Sequence, residues 1–586
     1  AVSSPNGYGQ EYFSTFANFL MAEPNRINVT TSTSNENRDF RYFTLGFYAQ
    51  DDWRVNSRLT LNLGLRYEFN TTPRELNGRD YTLRDHALDP TPTQGAIMLD
   101  RSYLNFSPRV GFAWDIFGDG KTSLRGAAGL YYDVGNFGNL FILNAFAGLV
   151  EVNVQQFLNP SSNIPVPLPY TQPTPATTIQ GISDYNDSQP HFLQMNLSIQ
   201  RQLPGNTALT IAYVSTRGAH LWSTGEGNNT TPTYVSPTGI QYWSNNLSST
   251  TTGCENVVPS CRANTAYDNI QLTSTLGDSW YNALQVNVDK RLGHGLEFQG
   301  SYTWSHSEDT TEGNLGVTTC SGVGMDQSSD PLHRENDKAP SCFDVRNNLR
   351  LNLLYHLPNR SSTGVLSKLT NGWWVGNIVS VLGGYPFTPI DGINRSNSGV
   401  FYNAPNERVD LGTATVAPGG IGPDGNVNLT SKTFIPFNGS SVITGNPNQW
   451  FNPLMFTMQP MVPCPNIPAQ TCGTLGTASR GLLRGPGLGD WDFSLVKDTA
   501  LRFLGEGGSM QFRAEFFNLL NRANFGTPSN TVFSGTIGTI GASPAGCTTT
   551  CANVGAYSQS PVGNAGAITT TATPSRQIQL ALKVIF

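Results

Sequence analysis

The sequence predicts an all-β protein, an antiparallel transmembrane β-barrel, and three observations carry that expectation. Apolar and polar residues alternate in segment after segment. Tight connections alternate with long ones. The 586 residues also hold few charges and much glycine, with no apolar run long enough for a transmembrane helix. Charged residues make up 13%, with 60 glycines and 11% aromatics, whereas about a quarter of residues are charged in a typical soluble domain. A spanning helix needs at least ~18 apolar residues, and the longest oily stretch, LFILNAFAGLV at 140–150, falls short. A net charge of −6 gives no basic footprint, so no nucleic-acid partner is expected. The chain begins at Ala1 rather than Met and is read as processed or partial.

The alternation is clearest from Leu59 to Asn70. Leu59, Leu61, Leu63, Leu65, Tyr67 and Phe69 share one face; Thr60, Asn62, Gly64, Arg66, Glu68 and Asn70 share the other. A period of two is a strand with one oily and one polar side. The same pattern runs through Leu193–Ile199, Leu284–Val288, Leu296–Trp304 and Leu349–Leu357. It ends in RQIQLALKVIF, where Ile578, Leu580, Leu582, Val584 and Phe586 oppose Gln577, Gln579 and Lys583. About thirteen such strands are expected, most long enough to cross a bilayer at a tilt.

Connection lengths turn these strands into an architecture. Pairs at 41–55/59–70, 106–117/121–134, 191–203/207–221, 280–292/296–308 and 490–503/509–522 are tightly joined, and the 345–357/372–388 link is somewhat longer. The joints include GDGK, PGN, GHG and GEGG, compositions suited to reversals. Between hairpins lie long connections at 71–105, 135–190, 222–279, 309–344, 389–489 and 523–575. A soluble sandwich also has two-faced strands, but it has no reason to gather every long loop at one end. A barrel in an outer membrane does, with short periplasmic turns, long extracellular loops, an apolar exterior and a polar lumen. The polar positions Arg66, Glu68, Arg125, Arg350, Arg513 and Glu515 are therefore read as lumen-facing, lining a path or pairing with one another. Trp53, Tyr67, Phe69, Trp114, Tyr132, Tyr302, Trp304 and Tyr355 fall near strand ends, where interfacial aromatics belong.

The eight cysteines form four close pairs, Cys254/Cys261, Cys320/Cys342, Cys464/Cys472 and Cys547/Cys551, each within one long loop. Paired placement in exported loops reads as four local disulfides. CTTTC at 547–551 has loosely ligand-like spacing but no neighbouring His or second cysteine pair, so no metal site is assigned.

Several stretches closely resemble TonB-dependent outer-membrane receptors, in particular the Oar-like group with carboxypeptidase-regulatory-like N-terminal domains. They are FYAQDDWRVNSRLTLNLGLRYEF (47–69), NFSPRVGFAWDIFGDGKTSLRGAAGLYYD (105–133), YNALQVNVDKRLGHGLEFQGSYTWSHSED (281–309), DVRNNLRLNLLYHLP (344–358) and the region 483–528. The resemblance implies a barrel of about twenty-two strands, of which this chain would supply 13 to 14. On that reading residues 1–40 are an extracellular loop and partial strand, and 41–586 are the C-terminal barrel portion. A strand within 26–34 would make the count even. The plug, the TonB box and the first barrel strands would precede Ala1. The resemblance further implies lipid contact, energising by the TonB–ExbB–ExbD complex, and recognition of the terminal Phe586 by the outer-membrane assembly machinery.

Catalytic motifs do not survive inspection, and no enzyme or cofactor is expected. GDGKTS at 118–123 has Asp115 where a phosphate loop needs its first glycine, and it sits between two strands. His333 in LHREN lacks the second His of a zinc-protease helix. Asp309 with Glu312, and Asp326 with Asp330, are acidic enough for a loop calcium but are the ordinary content of solvated loops. The function expected from the resemblance is uptake of a large scarce ligand. The loops carry Trp222, Tyr234, Tyr242, Trp243, Tyr402 and Trp450 among neutral polar residues, a composition that favours a peptide or glycan. Secretion or cell-surface interaction, and passive permeation, are the competing classes. The cysteine reading has its own test. Mass spectrometry of non-reduced peptides is expected to find the four local links, and free thiols at most of these positions would refute the exported-loop topology.

Overall fold

Thirteen long strands form one antiparallel sheet in which each strand pairs with its neighbours in sequence. They are β1 Thr44–Arg54, β2 Leu59–Asn70, β3 Phe106–Asp115, β4 Thr122–Tyr132, β5 His191–Leu203, β6 Thr207–Glu226, β7 Ile270–Gly293, β8 Leu296–Asp309, β9 Asn347–His356, β10 Trp373–Leu382, β11 Leu488–Ala500, β12 Ser509–Phe517 and β13 Gln577–Ile585. The computed structural model describes residues 9–13, 16–21, 26–30, 38–99, 102–133, 154–158, 179–244, 262–267, 270–311, 313–314, 317–318, 333–360, 364–392, 396, 398, 407–412, 436–459, 462–465, 467–501, 505, 507–533 and 561–586. Among these no helix is long and apolar enough to cross a membrane; the strands are the long elements.

Register places the alternation on two continuous faces. One row across the sheet reads Leu59, Trp114, Leu124, Ile199, Ile211, Val286, Tyr302, Leu349, Val381. One step along each strand, the row reads Thr60, Ala113, Arg125, Ser198, Ala212, Gln285, Thr303, Asn348. A slip of one residue would swap these faces, so the pattern fixes the register. The apolar face is uncovered by protein: Leu65 is 48% exposed, Val110 52% and Leu580 68%. Apolar surface on this scale, spread over thirteen strands, requires a nonaqueous neighbour.

The tight joints form as their compositions require. At 118–121 the Asp115 carboxylate accepts from the backbone N–H of Gly118 (2.9 Å) and Gly120 (3.0 Å). Gly118 has φ 73°, a conformation that favours glycine. This segment is a hairpin turn, not a phosphate loop. The β9–β10 joint holds a helix, α1, at Gly364–Thr370. At the opposite rim β6 and β7 run on to 20 and 24 residues, well past what a bilayer needs.

Two expectations need correction or completion. A strand does form at Arg26–Thr30, but it pairs with Gly9–Tyr12 and Val154–Leu158 in a separate three-stranded sheet. It therefore leaves thirteen long strands along the path of the main sheet, to which Ile179–Ser183 and Ala339–Pro340 add only short side pairings, because its backbone groups are already satisfied elsewhere. β13 pairs with β12 as expected, from Ser509 opposite Ile585 to Phe517 opposite Gln577. Among the described residues, β1 and β13 each have a partner on one side only.

The buried core lies in the long loops rather than against the sheet. Phe387, Val409, Phe451, Met455, Phe456, Leu483 and Phe533 pack in one cluster drawn from the β10–β11 and β12–β13 connections. Burying each large apolar side chain contributes about 1.5–3 kcal/mol. Ion pairs tie this cluster to the end of β8 and the β8–β9 connection: Arg480 to Asp309 at 2.5 Å and Arg408 to Asp337, both buried, and Arg484, part-buried, to Asp344. Asp309 thus serves a guanidinium rather than a loop calcium; Glu312, Asp326 and Asp330 lie outside the described residues. The β6–β7 connection joins the assembly through the Trp243–Gly473 pairing. It also holds the β2–β3 connection, with Asn264 Nδ2 donating to His86 O (3.0 Å) and Asp89 O (2.8 Å). Cys464 and Cys472 are joined by a disulfide. Cys342 is disulfide-bonded, while Cys254, Cys261, Cys320, Cys547 and Cys551 lie outside the described residues.

The two solvents of the sheet make an asymmetric prediction. In lipid vesicles, Leu580→Arg is expected to cost about 2–4 kcal/mol in urea unfolding, and Gln579→Arg far less. Equal losses would mean that both faces meet the same medium. The loop core gives a second prediction. Arg480→Ala leaves Asp309 buried without its partner, a loss of about 3–5 kcal/mol. Hydrogen exchange is expected to accelerate across 442–483 while β3–β8 stay protected; unchanged loop protection would make the pair irrelevant.

Candidate functional site

The polar face of the sheet is concave, and the loop core is built on connections from one rim. A hollow of about 850 Å³ runs across β4 to β8, lined by Lys121, Arg125, Gln200, Asp289, Glu297 and Gln299. A second of about 380 Å³ lies over β6 to β10, with Asn287, Ser301, Arg350, Asn352 and Ser380. A hollow that spans five strands on one face needs a sheet that curves toward that face. The alternation of each strand then delivers mainly polar groups to it, with Ala208 and Ile378 among the apolar exceptions.

The lumen residues expected from the sequence divide into two groups. Arg66 pairs with Glu68, and Arg513 with Glu515 at 2.8 Å. Each pair lies two residues apart on one strand, so it forms from the strand geometry alone. Arg125 and Arg350 differ, with no carboxylate partner among the described residues. Arg125 Nε donates to Ser123 Oγ at 3.2 Å. Arg350 donates from Nη1 to Ser380 Oγ at 2.6 Å and from Nε to Asn348 Oδ1 at 3.2 Å. These neutral acceptors orient the guanidinium groups without cancelling their charge, so both can still engage an anionic or strongly polar group.

Arg109 belongs to the same wall and was not singled out from sequence. It sits on the polar face of β3, opposite Gly64 and Gly129, with its guanidinium 4.5 Å from the centre of the Tyr131 ring. The signal was present, since Ser107, Arg109, Gly111 and Ala113 continue the polar alternation. Asp52 likewise accepts from Asn62 Nδ2 at 2.6 Å on the first two strands.

The loop aromatics mostly anchor packing. Trp243 is buried and donates its indole N–H to Thr230 O at 3.0 Å. Trp450 packs on the main loop core and donates to Arg484 O at 2.8 Å. Trp222 packs against Ile97 and Met98. Tyr234 and Tyr242 face each other across a short hairpin with ring centres 5.9 Å apart. Tyr402 lies outside the described residues. A ring committed to a core has no free face for a ligand, so Tyr234 and Tyr242 are the better placed of these six. Phe586 is 88% exposed beyond the end of β13.

The profile of the outer membrane beta barrel domain family matches residues 2–579. No sequence among the curated proteins matches the chain. Among solved structures the chain is similar to the outer membrane transporter YddB from Escherichia coli. That likeness has 10% identity and a TM-score of 0.39, covering 86% of this chain and 47% of that one. It is similar to the ferric enterobactin receptor PfeA from Pseudomonas aeruginosa at 11% identity and a TM-score of 0.38, covering 95% and 49%. It is also similar to the siderophore receptor PirA from Acinetobacter baumannii at 10% identity and a TM-score of 0.36, covering 88% and 50%. The chain thus spans about half the length of these structures. The family match over nearly the whole chain accords with the open apolar face, the polar concave face and the rim asymmetry: the protein belongs to the outer membrane beta barrel domain family and resides in the bacterial outer membrane.

Proposed function

We propose that this chain forms the C-terminal barrel wall and much of the extracellular cap of a TonB-dependent receptor of the Oar-like group. Its role is import of a scarce ligand too large for porins, a peptide or oligosaccharide. The observation that carries this reading is the pairing of a polar concave wall with loops that pack into clusters and are cross-linked by ion pairs and hydrogen bonds over a single rim. A passive pore has no use for such a cap, whereas a receptor needs a structured surface to select its ligand. Arg125 and Arg350, oriented but not neutralised, supply the wall with groups for a plug or a passing ligand. The single-sided pairing of β1 and β13 among the described residues supports a wall that is completed by further strands. The exposure of Phe586 at the end of β13 supports its reading as a signal for the assembly machinery.

Uptake by cells carrying the intact receptor tests the proposal. Radiolabelled candidate oligopeptides and oligosaccharides are expected to enter only while the inner membrane is energised, and a protonophore is expected to stop entry. Uptake that persists under the protonophore would identify a passive pore. Unchanged uptake in a deletion strain with altered adhesion or secretion would identify a surface-interaction role. The double variant Arg125→Ala/Arg350→Ala is expected to lower uptake by about tenfold or more, given the strength of charged hydrogen bonds. It should leave the heat-modifiable gel mobility of the barrel unchanged.

A further inference from the structure

The helix α1 in the β9–β10 joint is inverted relative to an ordinary surface helix. Its sequence is GVLSKLT. Val365, Leu366 and Leu369, at successive i, i+1 and i+4 positions, are 74%, 61% and 63% exposed. The polar Ser367 and Thr370 are half-buried on the other side. In water a helix hides its apolar stripe and presents its polar one. Here the protein covers the polar stripe, with Asn371 Nδ2 donating to Ser367 Oγ at 3.1 Å.

The orientation is fixed by the joint itself. Asn371 bridges the two ends of the connection, accepting from Arg360 N at 2.7 Å and donating to Arg360 O at 3.1 Å. Its carbonyl accepts from Lys497 Nζ at 2.5 Å. Trp373 donates its indole N–H to Leu369 O at 2.8 Å. Trp373 shares the apolar, outward face with Lys497, Phe512 and Leu582, which lie opposite one another in successive strands. The exposed stripe of α1 is therefore continuous with the lipid-facing band, at the rim that carries the short turns. Lys368 and Arg360 are exposed beside it, where cations meet lipid phosphates.

We propose that α1 is an interfacial foot, lying in the periplasmic leaflet of the outer membrane with Val365, Leu366 and Leu369 among the acyl chains. The occupant of the stripe is phospholipid. Helices of this kind bury one face by about 5–10 Å and draw further affinity from basic residues beside anionic headgroups. Trp373 and Lys497 then mark the polar–apolar boundary on the wall, and α1 fixes the depth at which β9 and β10 sit.

Spin labelling of the full chain in its native outer membrane tests this. A nitroxide at Leu366→Cys is expected to collide severalfold more often with oxygen, which partitions into lipid, than with a water-soluble nickel chelate. A nitroxide at Asp119→Cys, in the open turn of the same rim, is expected to show the reverse. Leu369→Cys reads the same stripe should the first variant fail to fold. Nickel access at both helix positions equal to that at Asp119→Cys would overturn the proposal. Shielding from both reagents in native membranes but not in purified proteoliposomes would overturn it too, by showing a protein partner on the stripe.

Discussion

Backbone hydrogen bonding in hydrocarbon is the constraint from which the rest of this structure follows. A peptide group that leaves water must find its partner inside the protein, because lipid supplies none. The thirteen-strand ladder meets that demand for every strand with two neighbours. Pairing each strand with the next in sequence meets it with the least chain. Curvature toward the polar face and the short joints at one rim follow from the same requirement. Once the ladder is set, side chains are sorted by parity alone. Odd positions of β2 go to lipid and even ones to the lumen, whatever their neighbours do.

That sorting explains why the wall was legible in the sequence and the cap was not. A strand between two different solvents must alternate, and alternation is visible in a few residues. The outward Leu59, Leu61 and Leu63 and the inward Thr60, Asn62 and Arg66 are legible in the alternation of a single strand, whereas the register that sets Leu59 beside Trp114 is not. The pairing of Arg66 with Glu68 was within reach too, since two residues along a strand is a contact distance. The loop core obeys no period. Arg480 meets Asp309 across 171 residues, and Asn264 meets His86 across 178. Neither encounter has a local signature. Loop aromatics are ambiguous in a related way: an aromatic in a polar segment can be a platform or a packing anchor, and Trp243 and Trp450 are anchors. The strand at Arg26–Thr30 was found by its residues, yet its partners were not, because strand propensity carries no address.

Helix α1 shows the same logic at the boundary between media. Polarity that looks wrong for water is right for an interface. Val365, Leu366 and Leu369 would be a liability on a soluble protein, and Ser367 and Thr370 would be wasted against its body. Next to Trp373 and Lys497 the arrangement is consistent with the outward face of the wall, which is also apolar and also uncovered by protein. Reading a membrane protein with the rules for soluble ones inverts both features at once, so the helix and the strands support a single assignment of the surrounding medium.

The charges divide by range, and the division bears on assembly. Arg66–Glu68 and Arg513–Glu515 are neutralised within one strand, so those strands can enter a low-dielectric setting with the pair already formed. Arg408–Asp337 and Arg484–Asp344 each join two connections, and Arg480–Asp309 joins a connection to the end of β8. They come together only after β8 to β11 are in register, because the strands hold their loops at the right separation. Closing such contacts earlier would cost chain entropy with nothing yet gained. A charged group in the cap is fully partnered only on a correctly registered wall, since a one-residue slip would move Asp309 to the opposite face and leave Arg480 buried and unpaired, at a cost of several kcal/mol. The cap thus reinforces the register that parity selects: the long-range pairs that sequence could not reveal stabilise the short-range pattern that it could.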